Sequence, residues 1–286
     1  MGLKTFAILA ALVAMPAPFA VQAKDDPKPA ATSAADQALI RRSIDRGIMI
    51  YAYDQAAWHG TDDLMAKARA AGVFDTLAPT IGGWVVDGTA AEPVLVFFDK
   101  SERPQAIYTA RFADNGRRLV DSKLLGPGDD RTVSPGRLML IAALRTARAA
   151  AEKANFAKCA NAAFNTVVLP PETSDGPTLV YFLTPQTQND AWPFGGHYLV
   201  EVKPDGTIGA TRPFTKSCIT MAKGKRDEAA LFITHLLDPV PTEVHVFTAI
   251  AASLPVYVGT TQNNLVWVIE RVDGRMQIRL VGPAKK

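Results

Sequence analysis

The sequence predicts an α+β fold, antiparallel β-meanders with a few packed α-helices. Two observations carry this reading. Between residues 178 and 207, two strand-like runs flank an amide-rich loop, and Asp205-Gly206 then turns the chain again, a strong two-residue hairpin signal. The same grammar occurs elsewhere: Pro93-Val-Leu-Val-Phe, Pro177-Thr-Leu-Val-Tyr and Pro255-Val-Tyr-Val each open a strand, and their blocks turn at Asn115-Gly116, Asp205-Gly206 and Asp273-Gly274. A degenerate structural repeat and the common pattern of β-meanders both account for this.

Taken in order, residues 1–23 read as a secretory signal. Lys4 supplies the charged start, residues 6–15 an apolar core too short to span a bilayer, and Val21-Gln22-Ala23 a small-residue cleavage site before Lys24. Residues 24–34 form a polar leader with two prolines. A single α+β domain is expected over residues 35–286, with 126–132 as its one candidate divide. Residues 34–46 pattern as a helix closed by Gly47, residues 48–53 as a short strand, and a second helix starts at Thr61 or Asp62 and closes at Gly72.

Strands are expected over residues 84–87, 93–99 and 105–112, and from the turn at Asn115-Gly116 through 125. Ser134 and Pro135 start a long helix to about Lys153, with Leu140, Leu144, Ala147 and Ala151 on its apolar face. After the central meander, residues 207–221 read as extended. Residues 227–237 pattern as a helix with acidic residues in its first turn and His235 in its last. Residues 242–250 are ambiguous: alternating Val244, Val246, Thr248 and Ile250 favour a strand, while Val244, Phe247 and Ala251 would share a helix face. Residues 255–259, 265–271 and 275–281 close the chain as strands.

Composition excludes several function classes. Hydrophobic residues make up 48% and charged ones 21%, a globular balance. A net charge of +3 gives no electrostatic reason to expect nucleic acid or anionic lipid as a partner. No nucleophile elbow, P-loop, dinucleotide fingerprint or HExxH motif occurs, so no cofactor is expected. No apolar stretch after the signal is long enough to be a transmembrane segment.

Three groups of residues could carry function. Cys159 and Cys218 are two cysteines in a chain read as exported, which points to a disulfide and a periplasmic or secreted location. Were Cys218 free, it could serve as a nucleophile beside a histidine. His197, Glu243 and His245 form a sparse histidine–acid set; on a strand Glu243 and His245 would share a face, but no ligand spacing is diagnostic and no metal is assigned. The loop of residues 185–196 offers Gln186 and Asn189 as paired donors and acceptors, and Trp192 and Phe194 as flat apolar faces. Alternation places His197 at the loop mouth on the more polar face of its strand.

Amides beside an aromatic platform suit a sugar or a peptide, in this compartment a cell-wall fragment. The expected function is therefore a non-catalytic binding or assembly module of the envelope. The alternative is a secreted hydrolase using Cys218 or the group His197, Glu243 and His245.

Overall fold

The computed structural model describes residues 32–222 and 230–284. The expected signal, its cleavage site and most of the leader lie outside these residues, as does the start of the helix expected at 227. The fold class is α+β. Its elements are helices α1 (Ala34–Ala70), α2 (Phe74–Leu77), α3 (Pro135–Lys153) and α4 (Glu243–Ala252). The strands are β1 (Ile81–Gly88), β2 (Pro93–Asp99), β3 (Ala106–Ala113), β4 (Arg118–Leu124), β5 (Asn165–Leu169), β6 (Thr178–Leu183), β7 (Ala191–Pro193), β8 (Tyr198–Val202), β9 (Ile208–Pro213), β10 (Thr220–Ala222), β11 (Leu231–His235), β12 (Val256–Thr260), β13 (Leu265–Val272) and β14 (Arg275–Pro283).

The strands form three four-stranded sheets, ordered β1-β2-β3-β4, β5-β6-β8-β9 and β11-β12-β13-β14, and a two-stranded ribbon of β7 and β10. The three proline-led blocks occupy equivalent places. Each supplies the second to fourth strands of its sheet, and each Asx-Gly pair joins the third strand to the fourth. The third sheet departs from the other two: β11 runs parallel to β12, so α4 crosses between them, whereas β1 and β5 pair antiparallel with their neighbours.

Alternation along the strands then builds two cores. Leu95 and Phe97 of β2 and Tyr181 of β6 face α1, where they meet Ile50, Tyr53 and Leu64. Val96, Phe98, Val180 and Phe182 face the opposite way, onto Leu140, Leu144 and Ala147 of α3. Both helices thus cover both sheets. Arg148 of α3 bridges the sheets where β1 and β5 approach, donating to Gly82 O at 3.1 Å and Thr166 Oγ1 at 3.4 Å. A third core joins α4 and the last sheet to Trp192 and Phe194. The loop between β4 and α3 is tied to β3: Arg131 Nε donates to Ala106 O and Ala106 N–H to Arg131 O.

Three sequence-based element assignments are corrected. Gly47 does not end a helix, and residues 48–53 are not a strand. Residues 34–70 form one helix with Ser33 as its cap and a buried stripe through Gly47, Ile50, Ala57, Leu64 and Ala68. Gly47 is where α4 crosses α1: a Cβ there would lie 2.5 Å from Val246 Cβ and 2.8 Å from the Glu243 carbonyl oxygen. Its role is close approach rather than termination.

Leu231–His235 is a strand, not the last turns of a helix. Leu231, Ile233 and His235 are buried while Phe232 and Thr234 are exposed, and pairing to β12 fixes that period. Residues 243–252 are a helix, not a strand: Thr242 caps it and His245 closes the capping box by accepting the Thr242 N–H at Nδ1.

Candidate functional site

A cleft of about 420 Å³ opens where α1, β5, the loop between β6 and β7, and α4 converge. Asp54, Gln55 and Trp58 reach it from α1, Asn165 from β5, and Phe247 and Thr248 from α4; Gln186, Gln188, Asn189 and the edge of Trp192 close it. Helical spacing makes the α1 contribution: Asp54 and Trp58 lie four residues apart, on one face. Trp58 is 59% exposed, a high value for an indole, and the His59 ring stacks on it at 4.9 Å.

Asp54 is the charged group in this lining. It accepts a hydrogen bond from Asn165 Nδ2 at 3.3 Å. Burial disfavours its charged form and pushes the carboxyl up to about 6, against the weaker opposing effect of the Asn165 and Gln55 amides.

The loop carrying the amides is anchored from beneath. Thr184 N–H donates to His197 Nδ1 at 3.1 Å, which leaves the ring proton on Nε2 to donate to Pro193 O at 3.1 Å. The two ends of the loop are therefore pinned by one imidazole. Thr184 Oγ1 adds bonds to the carbonyls of Gly195 and Gly196. Below lies the Cys159–Cys218 disulfide, with a Cα separation of 5.3 Å. Gly196 has φ +76, and a side chain there would collide with Cys159 Sγ.

The residues singled out from the sequence divide into two groups. Gln186, Asn189 and Trp192 line the cleft. Phe194 is buried in the third core, and Trp192, only 7% exposed, shares that core. His197 is fully buried and does not line the cleft. Its expected position on a polar face is corrected: that face of β8 packs toward α1 through Leu199, and the other toward α3 through Val200 and Val202, so neither is solvated. Asp54, Gln55, Trp58 and Asn165 are not among the residues that the sequence alone points to. The helical spacing of Asp54 and Trp58 carries the signal, but dividing α1 at Gly47 hides it.

The groups named for the alternative reading are engaged in structural bonds, although the His235 and His245 rings meet edge to face at 4.6 Å. Cys218 is half of the disulfide and has no thiolate to offer. Glu243 and His245 are two apart on a helix, about 200° around it, and point different ways. Glu243 accepts from Tyr181 OH at 2.8 Å, while His245 holds Thr242. His235 pairs with Asp238, which also takes two bonds from Arg212. Among the described residues no group of three or more histidine, cysteine or acidic side chains is placed to hold a metal ion, and no helix is long and apolar enough to cross a membrane. No family model, no curated protein and no solved structure matches this chain.

Proposed function

We propose that the protein is an exported, non-catalytic binding module of the cell envelope, and that its ligand, a cell-wall sugar or peptide fragment, seats in the cleft between Trp58, Asp54 and the amide loop. The observation that carries this is the chemistry of the lining. Gln55, Asn165, Gln186, Gln188 and Asn189 bring donors and acceptors, Thr187 adds a hydroxyl, and Trp58, with His59 stacked on it, keeps more than half of its surface exposed. These are the means by which proteins orient polar ligands on an aromatic platform.

The same lining holds one carboxylate and neither a histidine nor a thiol. Hydrolysis of a glycosidic bond commonly needs two carboxylates, and acyl transfer a nucleophile beside a base. The disulfide supports export, since such bonds persist in oxidising compartments.

The test is calorimetric titration with soluble peptidoglycan fragments, namely N-acetylated oligosaccharides and stem peptides. Trp58→Ala should weaken binding about ten-fold or more while leaving the thermal midpoint within a degree or two, because that ring is mostly solvated. Trp192→Ala should instead lower the midpoint sharply, since it opens the third core. Binding of every fragment unchanged by Trp58→Ala would refute the placement of the site.

A further inference from the structure

We propose that the cleft recognises a primary ammonium group on its ligand and that Asp54 supplies the counter-charge. The inference rests on the binding reading above and names the chemistry that the site selects.

Several other carboxylates withdrawn from solvent sit against a cation. Asp87 takes two bonds from Arg137, at 2.8 and 3.0 Å. Asp238 takes two from Arg212 and faces His235. Asp99 and Glu243 lie against Arg131 and Arg46. Asp54 forms no ion pair among the described residues; the group that bonds it is neutral, the amide of Asn165. Asp54 is half-buried, and a carboxylate partly withdrawn from water without a cation costs some stability; perturbed groups of this kind cluster where a ligand or reaction uses them.

The surroundings complete a cation site. Trp58, one turn further along α1, is mostly exposed with His59 stacked on it, and an indole ring attracts ammonium groups through its quadrupole. The side-chain carbonyls of Gln186, Gln188 and Asn189 can accept the remaining ammonium protons. No lysine or arginine lines the cleft to compete. On α1, Tyr51 feels the Asp54 charge together with those of Arg117 and Arg271, and the titratable His59 ring stacks on Trp58. The lining contributed by β5, the loop, β7 and α4 is uncharged. A volume of about 420 Å³ admits a lysine-sized side chain or one amino sugar ring, but not an extended glycan.

Two sources share this chemistry, a free amine on a stem peptide and a de-N-acetylated sugar, and the experiment separates them. A short lysine-containing peptide and its Nε-acetylated form make one pair of probes. Glucosamine and N-acetylglucosamine oligomers make the other. In calorimetric titrations at pH 7, the free amine of at least one pair should bind about ten-fold or more tightly than its acetylated partner, and Asp54→Asn should abolish that preference.

Because Asp54 titrates at about 6, the amine should bind about ten-fold less tightly at pH 5 than at pH 7, whereas the acetylated probe should bind alike at both. Asp54→Asn should also raise the thermal midpoint at pH 7, since it removes an uncompensated charge. Equal affinity for free and acetylated probes, still lost in Trp58→Ala, would overturn the ammonium proposal and leave the binding module standing. Failure of all four probes would overturn both.

Discussion

His197 shows how one side chain can shape a site without touching it. Its ring is fully buried, accepts from Thr184 and donates to Pro193, and so works only while neutral. Burial holds its pKa at about 4, below the ordinary 6.5. The folded state resists a proton that the unfolded chain takes up. The His197 contribution is therefore complete above pH 6.5 and is lost as pH falls from 6.5 toward 4, a total of about 3 kcal/mol. His245, held neutral by burial, acts in the same direction, and Asp54, raised to about 6, in the opposite one. Urea unfolding from pH 7 to 4 should show the midpoint falling, and the fall should be shallower in His197→Gln. An identical pH profile in that variant would remove His197 from the explanation.

Helix α1 is the element on which the molecule turns. It contributes to the first two sheets' core and crosses α4, and its 37 residues deliver Asp54 and Trp58 to the cleft midway. The crossing explains why a glycine sits inside a long helix. In a free helix Gly47→Ala would stabilise by up to about 1 kcal/mol. Here the new Cβ meets Val246 and the Glu243 carbonyl, so the substitution should destabilise by about 1–3 kcal/mol. Chemical denaturation gives the sign directly, and a stabilised variant would show that α4 does not lie in the Gly47 notch. A glycine chosen for close approach and one chosen to end a helix look the same in sequence, because the difference lies in a partner two hundred residues away. For the same reason the Asp54–Trp58 pair, and with it half of the candidate site, was not legible.

Across the whole molecule, the Cys159–Cys218 bond connects the segment after α3 to the one before β10, and the amide loop rests above it. It spans 59 positions. Closing a loop of about that length is worth roughly 4 kcal/mol through the unfolded state. Cys159→Ser with Cys218→Ser should lower stability by about that amount in urea unfolding, and the intact protein denatured without reductant should show no free thiol. The double variant should also lose affinity for the peptidoglycan fragments, because Gly196 and Thr184 sit against the bond. Unchanged stability on reduction would mean that the loop is held by His197 and Thr184 alone.

What the sequence determined by itself was local. Strand alternation, Asx-Gly turns and the Ser134-Pro135 helix start are statements about neighbouring residues. They led to the fold class, to the three meanders and to α3, and the cysteine count led to the disulfide. The amide loop with Gln186 and Asn189 was legible too, because its composition stands out within a dozen residues. Tertiary structure decided the rest. Residues 231–235 are a strand because β12 offers them a parallel partner, and residues 243–252 are a helix because α1 offers a groove at Gly47. His197 is buried because the sheet is covered on both faces, a fact of layering that no single strand records. The cleft itself draws on α1, β5, the β6–β7 loop and α4. Its chemistry exists only where these distant segments meet, and long-range packing brings them together.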